Sequence, residues 1–198
     1  MPTGVAIRDA REQLFDAAER ILLRDGPSAL TSRAVTTEAG CAKGVLHRHF
    51  ADFDAFLAEL VLDRVAHIES QSTALHETAG TGTVTGNLTT ALTDLFGGSI
   101  AVSIVALITF RDDLRTRLRE KRQTPGIPLL TEATAVITTY LTAERELGRI
   151  TTTADIDTLA PTLIGAAHLL FADRRDAPPE ATAVQKAVTT VLAGAVPL

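Results

Sequence analysis

Apolar residues recur at the three- and four-residue spacing of an α-helix along almost the whole chain. In residues 9–25, for example, Leu14, Ala18 and Ile21 share one helical face, and Gly26-Pro27 then supplies a helix stop. The period-two alternation of a half-buried strand is not sustained in any segment, although two threonine-rich stretches have some β-propensity. The chain is therefore predicted to fold as an all-α protein.

Capping residues and helix stops divide this pattern into segments, and Thr31, Asp52 and Asp155 are the predicted N-caps. The pattern is disturbed at Gly97-Gly98, where we expect a helix to bend, and Pro178-Pro179 precedes the last helix. With that bend counted as a break, nine helices are predicted, and the Gly/Thr-rich stretch 79–86 is the clearest loop. The predicted helices cover about residues 9–25, 32–38, 42–49, 52–76, 87–122, 128–146, 155–173 and 180–195.

The segment 30–50 contains two short predicted helices around a tight turn at Gly40. Its apolar residues are placed to hold the pair against the preceding helix, and they are Ala34, Val35, Ala39, Val45, Leu46 and Phe50. This arrangement is typical of a helix-turn-helix, whose second helix lies in the major groove of DNA and reads bases from its N-terminal part.

The polar residues of the same segment are left on the outside, where they supply donors for phosphate oxygens and base edges. They include Ser32, Arg33, Lys43, His47, Arg48 and His49. Lys43 and Gly44 would lie nearest the bases, since Gly44 allows a close approach of the backbone and Lys43 can reach guanine O6 or N7. We therefore predict that double-stranded DNA is a partner of this chain.

The overall charge does not favour nucleic-acid binding, because the chain has a formal net charge of −5. Residues 1–64 hold eight Lys/Arg against ten Asp/Glu, a net charge of −2. Within residues 31–50, however, Arg33, Lys43 and Arg48 face only one acid, Glu38. The local balance is positive where the DNA contacts are predicted.

Residues 8–60 resemble the N-terminal domain of the TetR family. The resemblance lies in Asp25-Gly26, in Leu30-Thr31-Ser32-Arg33, in the run from Ala39 to Phe50 and in Asp54-Ala55-Phe56-Leu57. It implies that Thr31, Ser32 and Arg33 approach DNA from the second helix and that Lys43, Gly44 and Val45 lie at base level. His47 takes the place of a frequent phosphate-contacting Tyr, and His49 falls where the family commonly has His.

What the resemblance implies is a dimeric regulator, most simply a repressor that a small, largely apolar or aromatic molecule releases from a near-palindromic operator. We expect an N-terminal helix-turn-helix DNA-binding domain at 1–52 and a ligand-binding and dimerisation domain at 53–198. The last two helices, about 155–195, are the expected homodimer interface because both carry broad apolar stripes and Gly165 permits close helix packing.

The chain departs from the family pattern at three positions. Ala42 replaces the usual capping Ser, so the recognition helix lacks a side-chain cap. His47 replaces Tyr, and Phe53 stands where a phosphate-contacting Lys is frequent. These departures reduce the number of expected DNA contacts. The acidic balance of residues 1–64 keeps a ligand-binding or interaction module with weakened DNA binding as an alternative, and an activator is an alternative to a repressor.

Candidate ligand-binding residues come from the apolar faces of the C-terminal helices, which are in the first place predicted core. They are Phe96, Ile104, Leu107, Phe110, Ile137, Tyr140, Leu141 and His168. Tyr140 and His168 each have an apolar body and a polar tip. Either residue would orient a ligand or satisfy a buried carbonyl, and both possibilities stay open.

Other classes of function find less support in the sequence. His47 and His49 do not share a helix face, so no metal site is predicted, and no cofactor is expected. Ser99 or Ser103 near His168 is the one arrangement that an α-helical enzyme would offer, and we do not expect an enzyme. The longest apolar run, 100–110, is shorter than the roughly 20 residues of a membrane span, so a cytoplasmic protein without membrane contact is expected.

Two further features have ordinary structural interpretations. Cys41 is the only cysteine, so it forms no disulfide within the chain, and it is interpreted as a small core residue of the turn. The charged run 111–122 is interpreted as a solvated helix end rather than as a basic patch.

Overall fold

The structure, a computed structural model, describes residues 5–98, 100–122, 124–172 and 179–197. These ranges contain ten α-helices, a short 3₁₀ helix Pro27–Ala29 and no strand, which confirms the all-α prediction. The helices are α1 Val5–Arg24, α2 Ser32–Glu38, α3 Gly44–His49, α4 Phe53–Glu77, α5 Val84–Gly97, α6 Ile100–Thr109, α7 Asp112–Arg122, α8 Leu130–Glu146, α9 Ile156–Ala172 and α10 Ala181–Val191. No single helix in the described ranges is long and apolar enough to cross a membrane.

The predicted N-caps are confirmed by their hydrogen bonds. Thr31 Oγ1 accepts from the N–H of Ala34 at 3.1 Å, and Asp52 Oδ1 accepts from the N–H of Ala55 at 2.6 Å. Asp155 Oδ1 accepts from the N–H of Thr158 at 3.2 Å. Each cap satisfies a donor that the first turn of a helix leaves unpaired.

The count of nine helices is too low by one, because the chain leaves the helix at residues 110–111 as well as after Gly97. Asp112 and Asp113 then occupy the first turn of α7, where the helix dipole favours carboxylates. Arg111 lies between α6 and α7, and its guanidinium donates to the carbonyl of Leu30 at 3.3 Å. Phe110, which was expected on a buried apolar face, is 85% exposed, so its assignment to the core is wrong.

Two further helix boundaries differ from the prediction. The loop predicted at 79–86 ends earlier, because Thr83 caps α5 by accepting from the N–H of Gly86 at 3.0 Å. The helix predicted at 42–49 begins at Gly44 instead, so Ala42 and Lys43 precede α3. Ser99 and Pro178 lie outside the described residues.

The chain forms two compact units. One contains the described residues of Met1–Asp63 and Ser103–Ile127, and the other those of Arg64–Val102 and Pro128–Leu198. The boundary predicted after residue 52 separates a DNA-binding part from a ligand-binding part, whereas the two units are defined by compactness. The predicted boundary therefore stays a prediction.

The first unit has an aromatic cluster formed by Phe15, Phe50, Phe53 and Phe56. The ring centroids of Phe50 and Phe56 are 5.1 Å apart and meet edge to face, a favoured aromatic geometry. Because Phe50 ends α3 and Phe56 lies in α4, the cluster holds the recognition helix against its neighbours in the unit.

The second unit has a helical core in which α10 packs on α5 and α9, and α9 packs on α8. Its apolar faces repeat at helical spacing, for example Leu88, Leu92 and Phe96 on α5. Phe96 stacks on Phe171 of α9 with centroids 6.0 Å apart. The apolar stripe of α10, including Val184 and Val188, is buried within the same chain.

Candidate functional site

The two short helices α2 and α3 are joined by a tight turn that requires a glycine. Gly40 has a φ of +65°, in the left-handed region that side chains other than glycine rarely adopt. The N–H of Gly40 donates to the carbonyl of Thr37 at 3.1 Å, and the N–H of Cys41 donates to that of Thr36 at 3.0 Å. These bonds close the C-terminus of α2 and turn the chain toward α3, as the helix-turn-helix prediction required.

Buried residues fix the orientation of this pair of helices. Val35 of α2 and Leu46 of α3 are both fully buried, and α2 and α3 both contact α1. Their burial leaves the opposite faces of α2 and α3 to solvent. Within the segment 30–50 the fold thus buries Val35 and Leu46 and leaves the predicted DNA-contacting cations exposed.

The structure exposes six of the nine predicted DNA-contacting residues, and Ser32, Val45 and His49 are half-buried. The exposed ones are Thr31, Arg33, Lys43, Gly44, His47 and Arg48. A Cβ placed on Gly44 would meet no atom within 4 Å, so the start of α3 is open to an approaching surface. Within the described part of the chain, Arg33, Lys43 and Arg48 form no ion pair.

The single acid of this segment is neutralised from α1. Arg20 Nε donates to Glu38 Oε1 at 2.9 Å, and an Arg24 guanidinium nitrogen donates to Oε2 at 3.1 Å. The hydrogen bond from Arg20, followed by that from Arg24, holds the pKa of Glu38 below its ordinary value. The three free cations therefore face solvent without a competing carboxylate from their own element.

Arg11 of α1 secures the end of the recognition helix. Its guanidinium lies 4.5 Å from the ring centroid of Phe50, and it donates to the carbonyl of His49 at 3.4 Å. It also forms an ion pair with Glu59 of α4. Sequence reasoning missed this role of Arg11, because the hydrogen-bond partners His49 and Glu59 are 38 and 48 residues away from it in the chain.

Three acids at or near the start of α4 pair with cations from residues 111–121 of the same unit. Arg117 donates to Asp52 at 2.9 Å, Arg111 pairs with Asp54 at 3.5 Å, and Lys121 lies 3.9 Å from Glu59. The charged run 111–122 is therefore only partly the solvated helix end that the sequence predicted. These pairs engage three of the acids that make residues 1–64 acidic, and none of the three lies on α2 or α3.

The departures at Ala42 and Phe53 have direct structural counterparts. The start of α3 has no side-chain cap, and the N–H of Val45 donates to the backbone carbonyl of Ala42 at 2.8 Å instead. Phe53 stacks on Phe56 with centroids 5.7 Å apart and carries the Arg111 guanidinium 5.6 Å from its ring centroid. Phe53 is thus a packing residue of the aromatic cluster.

A cavity of about 370 Å³ lies in the second unit between the C-terminal half of α4, α5 and α8. This volume falls in the range of about 300–1,000 Å³ that is common for small-molecule sites. Most of its lining is apolar, and the lining residues are Ile68, Ala74, Leu75, Thr78, Asn87, Thr90, Ala91, Asp94, Leu95, Ala133, Val136 and Ile137. Small side chains such as Ala74, Ala91 and Ala133 leave the space open.

Of the eight predicted ligand-binding residues, only Ile137 lines this cavity. Phe96, Tyr140 and Leu141 are buried in the second unit, whereas Ile104 and Leu107 are buried in the first and Phe110 is exposed. The lining residues of α5 are Asn87, Thr90, Ala91, Asp94 and Leu95, and they lie beside the fully apolar face of that helix on which the predicted Phe96 stands. The small and polar residues on this second face of α5 were the sequence feature that could have indicated the cavity.

The polar tip of Tyr140 is satisfied inside the chain. Its hydroxyl donates to Glu144 Oε1 at 2.6 Å and accepts from Asn87 Nδ2 at 3.0 Å. Glu144 is fully buried, and its other oxygen lies 3.1 Å from Arg149 Nε. This network joins α5 to α8 next to the cavity.

His168 lies edge to face against Phe96, with ring centroids 6.0 Å apart. Its buried Nε2 has no hydrogen-bond partner among the described residues, and burial lowers the pKa of the imidazole below its ordinary value. Ser103, the other half of the catalytic arrangement considered in the sequence, donates to the carbonyl of Leu22 at 3.4 Å.

Comparisons with known proteins agree with this geometry. Residues 14–60 match the sequence model of the bacterial regulatory proteins of the tetR family. No curated protein sequence is significantly similar to the chain.

Solved structures share the fold over nearly the whole chain. A transcriptional regulator from Rhodococcus sp. Rha1 is 20% identical, with a TM-score of 0.71 over 95% of this chain and 98% of that one. The regulator FadR of Bacillus subtilis, solved in complex with stearoyl-CoA, is 16% identical, with a TM-score of 0.68 over 92% and 98%. SmeT, the repressor of a multidrug efflux pump of Stenotrophomonas maltophilia, is 18% identical, with a TM-score of 0.64 over 94% and 90%.

At these identities the solved structures establish the fold, and the match over residues 14–60 identifies the element that carries the exposed cations. The segment 14–60 thus matches the tetR family of bacterial regulatory proteins in sequence, and the chain as a whole has a TetR-like fold.

Proposed function

We propose that this protein is a homodimeric transcriptional repressor that leaves its operator when a small, largely apolar molecule binds in the second unit. The observation that carries the DNA-binding part is a set of three exposed cations on a helix-turn-helix whose only acid is held by α1, none of them in an ion pair with a described residue. Cations free of internal partners release counterions from DNA phosphates at no loss of folded-state contacts.

Each predicted DNA contact has a distinct role in this proposal. Lys43, Gly44 and Val45, at the start of α3, face the bases, since the N-terminal part of a recognition helix enters the major groove. Thr31, Ser32 and Arg33 contact DNA from the start of α2. His47, Arg48 and His49 donate to phosphate oxygens and fix the register of the helix on the duplex.

The cavity between α4, α5 and α8 is the proposed effector site. The similar regulator FadR was solved with stearoyl-CoA, which supports the idea that this fold admits ligands with a large apolar part. Helix α4 begins directly after the recognition element, and Ile68, Ala74 and Leu75 in its C-terminal half line the cavity. An effector that binds best to a state with displaced α4 would lower the affinity for the operator. By reciprocity, operator DNA would lower the affinity for the effector by the same factor.

Helices α9 and α10 are the proposed dimer interface. Leu169 of α9 is 73% exposed in the single chain, and a Cβ placed on exposed Gly165 one turn earlier would meet no atom within 4 Å. Two copies of the helix pair would form a four-helix bundle and give the two-fold symmetry that a near-palindromic operator requires.

The proposal is tested by selecting DNA sequences that the purified full chain enriches from a random duplex pool. We expect a near-palindromic sequence that binds with at least about a thousandfold preference over random DNA. Enrichment of no sequence would overturn the proposal, and a rise in transcription on addition of the protein to a promoter carrying the sequence would contradict its repressor part.

A further inference from the structure

Asp94 is the only charged residue among the described residues that line the cavity. Its side chain is exposed at the mouth, and within the described part of the chain its carboxylate has neither an ion-pair nor a hydrogen-bond partner. It lies in the last turn of α5, where the helix dipole disfavours a negative charge. Local structure therefore gives no reason for a carboxylate at this position.

Two of the three neutral polar side chains of the wall, Asn87 and Thr78, have their donors engaged within the chain, and the third, Thr90, offers only an uncharged hydroxyl. The Asn87 amide already donates to the carbonyls of Thr78 and Thr81 and to the Tyr140 hydroxyl. Thr78 Oγ1 donates to the carbonyl of Leu75 at 2.7 Å. No Lys, Arg or His of the described chain lines the cavity, so an anionic group placed there would meet a carboxylate and no cation.

We propose that the effector is an apolar molecule with one cationic group, such as an alkyl or aryl amine. Its apolar body occupies the space among Leu75, Leu95 and Ile137, and its cation pairs with the Asp94 carboxylate at the mouth. This inference rests on the proposed function, because it assigns a ligand class to the cavity that we propose as the effector site. It also separates this protein from FadR, since the phosphate groups of stearoyl-CoA would find no basic partner here.

The test uses three probes with one apolar body and different head groups, namely phenylbutylamine, phenylbutanol and phenylbutyrate. Their binding to the purified full chain is measured by isothermal titration calorimetry at low ionic strength. We expect the amine to bind about fivefold more tightly than the alcohol, and the carboxylate to bind most weakly, because an exposed ion pair contributes about that factor.

Two matched variants locate the effect. Asp94→Asn keeps the shape of the side chain and is expected to equalise the amine and the alcohol while leaving the affinity for the alcohol unchanged. Asp157→Asn makes the same change of charge at an exposed position of α9 outside the cavity, and it is expected to keep the amine preference. Ala91→Phe fills the cavity and is expected to abolish binding of all three probes.

The outcomes separate the ligand class from the effector site. Equal binding of amine and alcohol to the unmodified protein, or an amine preference that survives in Asp94→Asn, overturns the inference and leaves the cavity as an apolar site. Undiminished binding to Ala91→Phe places the probes elsewhere and also overturns it. If none of the three probes binds, the cavity fails as the effector site and the inference fails with it, while selection of an operator still tests the DNA-binding part of the proposed function.

Discussion

The guanidinium of Arg117 donates to Asp52 Oδ2 at 2.9 Å, while the other oxygen of the same carboxylate accepts from the N–H of Ala55. Asp52 therefore caps α4 and joins the start of that helix to α7 within one unit. Because Asp52 follows α3 by only three residues, this double contact positions the chain that leaves the recognition helix.

The double contact predicts a pH-dependent contribution to stability. The hydrogen bond from the N–H of Ala55 holds the pKa of Asp52 below its ordinary value of 3.8. Partial burial acts in the opposite direction, and the contact with Arg117 lowers the pKa further. A carboxyl group with a lowered pKa stabilises the fold above its ordinary pKa and loses that effect as the pH falls toward the lowered one. We expect the stability difference between the unmodified protein and Asp52→Asn, measured by urea unfolding, to shrink below about pH 4. Parallel pH profiles would contradict this role, since asparagine keeps the cap and removes only the charge.

Arg33→Ala and Lys43→Ala are expected to weaken operator binding without loss of stability. Both side chains are exposed and have no ion-pair partner among the described residues, so their removal breaks no ion pair there. We expect each change to lower affinity by about tenfold to a hundredfold, and a residue that contacts phosphate also lowers the slope of log affinity against log salt by about one. Fluorescence anisotropy at several salt concentrations measures both.

The matched control for these variants is Arg119→Ala, which removes an exposed arginine from α7. We expect it to change neither the affinity nor the salt slope. Equal effects of all three substitutions would indicate that overall charge, rather than the helix-turn-helix, governs binding.

Ala42→Ser is expected to stabilise the protein. Thr31, Asp52, Thr83 and Asp155 each accept from the N–H three residues later, whereas at Ala42 only the backbone carbonyl is available to Val45. A serine hydroxyl at this position would satisfy an N–H of the first turn of α3 and raise the free energy of unfolding by about 1 kcal/mol. Chemical denaturation measures the change, and Thr31→Ala should lower stability by a similar amount. An unchanged or lower stability of Ala42→Ser would show that residue 42 is not placed to cap α3.

Tyr140→Phe is expected to destabilise the second unit by about 1–3 kcal/mol, because it removes the hydroxyl donor of a fully buried carboxylate. Burial, reinforced by the hydrogen bond to Glu144, raises the pKa of Tyr140 above its ordinary value of 10.0. A raised pKa means that stability is complete below the ordinary pKa and is lost as the pH rises beyond it. The unmodified protein should therefore lose more stability than Tyr140→Phe between pH 10 and pH 11, as urea unfolding will show. An equal loss in both proteins would mean that the phenol does not titrate in this way.

Leu169→Glu is expected to weaken the homodimer by at least about tenfold, because it places a charge on the exposed apolar residue of α9. Sedimentation velocity measures the dissociation constant. Leu23→Glu changes another exposed leucine, 49% accessible on α1, and should leave the dimer intact. If both variants dimerise as the unmodified protein does, the interface lies outside this face of α9.

Local features of the chain were predictable from the sequence. The caps at Thr31 and Asp52 involve a side chain and an N–H only three residues apart, and Gly40 is identified by the conformation that its turn requires. The separation of Val35 and Leu46 from Arg33 and Lys43 follows from helical periodicity within one short segment. Each of these features depends on neighbours along the chain, so the sequence alone determines the all-α class and the helix-turn-helix.

Features that depend on distant partners were decided by the tertiary structure. Arg117 and Asp52 are 65 residues apart, and the break between α6 and α7 coincides with a contact from Arg111 to Leu30 across 81 residues. The cavity likewise depends on how far α4, α5 and α8 stand from one another, which no periodicity within a single helix specifies. Asp94 became a candidate ligand-binding residue only when this spacing placed it at the mouth of an apolar space with no partner for its charge.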